Sequence, residues 1–254
     1  MFDATSDIND LNVGYLKRSL TLGRKLAKRL GVSVYWDKHL PHGLDHRWDL
    51  VRMTQQDRFN VVFDIGANVG CETLRYAPLA DQVYAFEPVA DTYRELCDAV
   101  YGLPNVQCIH MALGAEPDQV EIEIAVRSGL NSLVGGTPVD AGPRSPSSDS
   151  QTEIVTVDTV DRFCERHEIA TIDIAKIDVE GFEPQVLEGA AGMLQERAIR
   201  FLYIETVFRE DEMHTSFRQL DDILGPYGYS LHALYDYAHF GRPGAIGYCN
   251  ALFV

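Results

Sequence analysis

Residues 61–70 read V-V-F-D-I-G-A-N-V-G, an order that leaves few backbone shapes open. A short apolar run, Val61-Val62-Phe63, closes on an acid and then on small or turn-forming residues. That is the pattern of a buried strand breaking into a tight loop. Gly66 and Gly70 lack a Cβ and can take positive φ, which opens the backbone to a cofactor lying across the strand end. Asn68 tolerates the same left-handed conformation. A dinucleotide fingerprint needs G-x-G-x-x-G with N–H groups turned toward a pyrophosphate. Here Asn68 and Cys71 stand at the second and third glycine positions, so an NAD-type reading fails.

What stands instead is D-x-G-x-N-x-G, with Asp64 at the strand tip facing the loop. An acid there repels phosphate and favours a cationic amine or sulfonium at close range. Further on, a second strand at 82–86 closes on Glu87-Pro88. The tip of the second strand in a doubly wound sheet is where ribose hydroxyls arrive, and the two carboxylate oxygens of Glu87 can accept from both. An adenosine without pyrophosphate, carrying a positive charge, is S-adenosylmethionine. Asp64 would sit near its amino-acid end, and Glu87 and Pro88 near its ribose. Two solvated acids that merely close two strands are the plainer alternative, and the loop between them speaks against it.

Length and composition bound the rest. At 254 residues and 46% hydrophobic content, the chain suits one α/β domain with an added element. A net charge of −16 disfavours nucleic acid as a partner and leaves small-molecule or glycan acceptors. The five cysteines are odd in number, widely spaced and free of C-x-x-C pairs, so they read as reduced thiols in the cytoplasm, with no zinc framework. No run reaches the roughly 20 apolar residues of a membrane helix, and stable membrane insertion is not expected. At 15–30 six basic residues alternate with leucines; a membrane-surface helix is one reading, and a helix packing its leucines on the domain is preferred.

In chain order, residues 1–58 are expected to form an N-terminal addition, helical and then irregular, and residues 59–254 the main domain, with a flexible insertion around 127–152. His39, His42 and His46 invite a metal reading, but without paired spacing a cap or packing role is expected. Helices are expected at 71–79 and 91–100, a third strand at 106–110, and two half-exposed strands at 119–126 and 153–157. The insertion between the last two is rich in Gly, Pro, Ser and Asp, like a lid or substrate loop, and makes Asn131 and Ser132 candidate substrate contacts. A helix begins at Val157, a fourth core strand at 172–177 runs into D-V-E-G-F-E-P, and a helix follows at 184–195. The fifth strand, 200–204, ends in Glu205. Asp178, Glu180 and Glu205 thus stand at the carboxyl ends of parallel strands, where open α/β sheets bind ligands. After a helix at 216–224, two closing strands at 229–235 and 248–254 would form an antiparallel edge. The sum is a seven-stranded, mostly parallel sheet with helices on both faces.

Taken together, D-I-G-A-N-V-G, F-E-P, A-L-G, N-S-L and K-I-D-V-E-G-F-E, spread from Phe59 to Glu205, resemble the FkbM family of S-adenosylmethionine-dependent methyltransferases. The resemblance implies a Rossmann-like class I methyltransferase fold and methyl transfer to an oxygen, commonly a sugar or polyketide hydroxyl in glycan or natural-product biosynthesis. It also implies that Met111 and Ala112, after the third strand, meet the adenine; Met111 as core filler is the competing reading.

Methyl transfer to a hydroxyl needs the reactants oriented and the acceptor proton removed. Asp178 or Glu180 can act as base in a crowded acidic pocket that raises carboxyl pKa values, with Glu205 beside them. The same three carboxylates can instead hold Mg2+. The metal-free base is preferred because it asks less of the sequence. Glu183 and Glu188 are expected on a solvated helix face, Lys176 is expected to pair with Asp178, and His214 or His232 could be the base, though an incidental role is preferred for each. A catalytically silent S-adenosylmethionine-binding scaffold is the alternative from another class.

Overall fold

The computed structural model describes residues 43, 45–124, 151–208, 214–239 and 246–254. The helix expected at 15–30, the insertion from 127 to 150 and with it Asn131 and Ser132 lie outside the described residues. A helix α1 (His46–Thr54) leads into strand β1 (Phe59–Ile65), and α2 (Cys71–Tyr76) follows the glycine loop. Then come β2 (Ala80–Phe86), α3 (Ala90–Ala99), β3 (Val106–Ile109), β4 (Ala112–Leu113), β5 (Asp118–Ile124) and β6 (Gln151–Asp158). The second half runs α4 (Val160–Arg166), β7 (Ile172–Ile177), α5 (Glu183–Glu188), α6 (Ala191–Gln195), β8 (Ile199–Val207), α7 (Phe217–Leu224), β9 (Leu231–His239) and β10 (Ile246–Phe253).

The main sheet has seven strands in the order β3-β2-β1-β7-β8-β10-β9. Both neighbours of β1 and both neighbours of β7 run parallel to it, and β10 runs antiparallel to β8 and to β9. The expected antiparallel edge is formed by the last two strands. The last strand does not close the sheet; it inserts between β8 and β9 and leaves β9 outside, running in the same direction as β8. β1 and β7 are central strands, buried along most of their length. Val62, Phe63, Ile174 and Leu202 are fully buried, each such side chain contributing about 1.5–3 kcal/mol. A second sheet, β4-β6-β5, gathers the two half-exposed strands into an antiparallel pair in which Val120 faces Val155.

Two boundaries differ from the sequence reading. Residues 43–58 pack within the same compact unit as the main domain, which begins at Gly43 rather than at 59. Asp45 caps α1 by accepting from the Arg47 N–H, Leu50 is fully buried, and His46 stacks on Tyr203 with ring centroids 3.7 Å apart. His46 Nε2 also lies 2.6 Å from the Tyr76 hydroxyl, so this histidine is a packing residue as expected. Burial, reinforced by the Arg47 charge, pushes its pKa down to about 3 and keeps it neutral. The helix expected at 184–195 is broken into α5 and α6. Its hinge residue Gly189 lies so close to the chain after β4 that a Cβ there would stand 1.9 Å from the Gly114 carbonyl oxygen. No helix among the described residues is long and apolar enough to cross a membrane.

Candidate functional site

The carboxyl ends of β1, β2, β7 and β8 open into a cavity of about 680 Å³. That is ample for a nucleoside-sized ligand with room beside it. The glycine loop forms its floor. Gly66 N–H and Ala67 N–H both donate to the Phe86 carbonyl, Asn68 N–H donates to Glu87 Oε2, and Gly70 N–H donates to the Ala67 carbonyl. These donors are turned inward, so the loop offers no cradle for a phosphate, in agreement with the missing glycines. Glu87 is buried and lines the cavity, with Oε1 accepting from Val89 N–H. Its carboxylate is thus fixed at the tip of β2, where a ribose would lie. Pro88, Met111 and Ala112 line the same cavity.

Asp64 is in a different place from the one the sequence suggested. It does not line the cavity; it is fully buried beneath the loop. Its Oδ2 accepts from the Thr73 hydroxyl at 2.5 Å, and its Oδ1 lies 3.4 Å from Lys176 Nζ. The acid at position 64 therefore balances a buried lysine. Gly70 is likewise a packing residue: its φ is +87°, and a Cβ there would stand 2.8 Å from Leu96 Cδ1 on α3. Gly66, at φ +78°, does border the cavity. Its lack of a side chain first serves β7, since a Cβ would come within 1.9 Å of the Asp178 carbonyl oxygen. Asn68, at φ +50°, lines the cavity in the expected left-handed conformation.

Asp178, Glu180 and Glu205 all border the cavity. Adjacent positions explain why: β7 and β8 are paired in register up to Ile177 and Ile204, so the residues after them emerge side by side. Asp178 Oδ2 lies 3.2 Å from Lys176 Nζ, the pairing expected for that lysine. Two carboxylates thus flank the ammonium, and together they hold it charged despite burial. Glu205 stands on the neighbouring strand, within reach of the Asp178 and Glu180 charges. Burial, then the charges of Asp178 and Glu180, lifts its carboxyl to about 8, so at neutral pH it carries a proton. Among the described residues no group of three or more His, Cys, Asp or Glu side chains is disposed to hold a metal ion.

Two acids in this region eluded the sequence reading. Glu183 does not lie on a solvated face; it is 2% exposed. Its Oε1 accepts from Val179 N–H and Gly181 N–H, and its Oε2 accepts from the Thr215 hydroxyl, which ties the turn after β7 to the segment before α7. Its place at the first residue of a helix was the available signal. Glu72, in the first turn of α2, lines the cavity. His232 is exposed on β9, away from the residues lining the cavity.

The Methyltransferase FkbM domain profile matches residues 64–231. A hexuronic acid methyltransferase, AglP of Haloferax volcanii, is 26% identical over 164 residues, 62% of this chain and 61% of that protein. The match thus spans about three fifths of the relative's length. Among solved structures, a methyltransferase FkbM from Methylobacillus flagellatus aligns with a TM-score of 0.49 and 17% identity, covering 78% of this chain and 43% of that one. An rRNA methylase from Streptococcus thermophilus aligns with a TM-score of 0.46 and 12% identity, covering 84% and 96%.

Proposed function

We propose, from the premise that this chain belongs to the FkbM family of methyltransferases, that it moves a methyl group from S-adenosylmethionine to a hydroxyl of a sugar-type acceptor. The observation that carries this reading is the convergence of Asp178, Glu180 and Glu205 on the cavity that Glu87, Met111 and Ala112 also line. S-adenosylmethionine, when bound, supplies an electrophilic methyl on a cationic sulfur. Asp178 accepts the hydroxyl proton of the acceptor as the new carbon–oxygen bond forms. Glu205, its carboxyl raised by burial and by the charges of Asp178 and Glu180, adds a protonated group beside it. Negative carboxylates around the reacting centre also stabilise a cationic donor.

The sugar class is supported by the similarity to a hexuronic acid methyltransferase. A hexuronic acid offers both hydroxyls and a carboxylate. The carboxylates of Asp178 and Glu180 repel a second carboxylate at the reacting position, which favours a hydroxyl as the group methylated.

The test uses S-adenosylmethionine with free and glycosidically linked hexuronic acids and hexoses, with products read by mass spectrometry and by stability to mild alkali. An alkali-stable methyl ether is expected, and Asp178→Asn is expected to lower kcat by about 10²–10⁴-fold. An alkali-labile methyl ester, or undiminished turnover in Asp178→Asn, contradicts the hydroxyl assignment. Tight donor binding without turnover on any acceptor returns the chain to the silent-scaffold reading.

A further inference from the structure

With Asp64 withdrawn below the loop, the cationic amino-acid end of the donor lacks the acid that the sequence assigned to it. The cavity supplies another. Glu72 projects from the first turn of α2 into the same wall as Asn68, Cys71 and Lys176. Its Oε1 accepts from Arg75 at 2.6 Å. Its Oε2 is buried and has no hydrogen-bond partner among the described residues. A buried carboxylate oxygen left in that state is costly unless a donor arrives. Burial lifts the Glu72 carboxyl above its usual range, and the charges of Arg75, Arg47 and Lys176 offset this only in part. Lys176 is itself held by Asp64 and Asp178, so its charge is largely answered elsewhere.

Position matches this deficit. The adenosyl end of the cavity lies at Glu87 and Met111, and the reacting centre lies at Asp178 and Glu205. A donor whose sulfur faces Asp178 runs its remaining tail along the glycine loop toward α2. We infer that Glu72 is the residue that receives the α-ammonium group of the donor, its Oε2 accepting an N–H that the protein does not provide. The role assigned to Asp64 thereby passes to the helix that follows the loop, while Asp64 serves Lys176 from below. This inference rests on the donor assignment above and concerns only the grip on the amino-acid tail.

Calorimetry separates the two. Three ligands suffice: S-adenosylhomocysteine, its analogue with the amino group replaced by hydrogen, and 5′-methylthioadenosine, which lacks the tail. Wild-type protein is expected to bind S-adenosylhomocysteine about 10–100-fold more tightly than the deaminated analogue, the span of one charge-assisted hydrogen bond. Glu72→Gln is expected to lose most of that preference while binding 5′-methylthioadenosine within about twofold of wild type, which also certifies its fold. If the wild-type preference for the amine is under about twofold, or persists undiminished in a folded Glu72→Gln, the inference is overturned. A wild-type preference under about twofold overturns the inference even if the variant does not fold. If wild-type protein binds none of the three, the donor assignment itself fails and takes this inference with it.

Discussion

Glu205 carries a carboxyl that its surroundings have moved from 4.5 to about 8: burial first, then the charges of Asp178 and Glu180, with Lys176 opposing. A carboxyl raised in the folded state favours folding fully below its unfolded pKa, and that contribution is lost as pH rises through the folded value. The window is therefore pH 4.5 to 8, and the stabilisation is lost on the alkaline side. Melting temperature of the wild-type protein is expected to fall across this window, and that of Glu205→Gln to fall by several degrees less. Parallel pH profiles of the two would remove Glu205 as the protonated partner. This behaviour was partly legible. Acids closing parallel strands announce a ligand-facing edge, and a crowd of them announces raised pKa values. What spacing does not encode is depth. Asp64 and Glu87 each follow an apolar strand, yet one is a covered counter-charge to Lys176 and the other faces the cavity. The difference lies in α2 and β7, which the local pattern around each acid does not contain. Glu183 was misjudged for the same reason, since its partner Thr215 lies 32 positions away.

At the scale of elements, the glycine loop is a joint between strands before it is a cofactor floor. Gly66 holds β1 against the turn after β7 so closely that Asp178 N–H donates to the Ile65 carbonyl at 3.0 Å. A methyl group at position 66 would meet the Asp178 carbonyl at 1.9 Å and would also strain a backbone at φ +78°. Gly66→Ala is expected to cost about 2–4 kcal/mol in urea unfolding, from overpacking and left-handed strain together. Because the atom displaced belongs to Asp178, turnover should fall further than the lost fraction of folded protein. Loss of stability with unchanged kcat in the folded fraction would show that the joint does not set the position of Asp178. The elements themselves were readable where a single strand or helix carries its own pattern, as at β1, β2, α3 and α7. Their ends were not. Val157 and Asp158 were expected in a helix but complete β6, because Thr159 caps α4 by accepting from Arg162 N–H. Nor did order along the chain disclose that β10 would pass inside β9, a choice made by pairing with β8.

Across the whole molecule, a net charge of −16 surrounds a cavity whose donor is a cation and whose spent donor is neutral. At neutral pH S-adenosylmethionine carries one net positive charge and S-adenosylhomocysteine none, since only the former has a sulfonium. The protein's field therefore draws the donor in and has no comparable hold on the product, in addition to the local effect of Asp178 and Glu180. Salt separates these contributions, because charges farther away than about 10 Å are screened at 0.1 M ionic strength while those lining the cavity are screened much less. Raising sodium chloride from about 0.05 to 0.5 M is expected to weaken S-adenosylmethionine binding about three- to tenfold and S-adenosylhomocysteine binding less than about twofold. The same field opposes polyanions, so duplex or single-stranded RNA should not compete with a sugar acceptor at physiological salt. Equal weakening of both adenosyl ligands would mean that the overall charge does not reach the site. Discrimination between donor and product would then lie with the carboxylates of the cavity, and Asp178→Asn would be the variant in which it disappears.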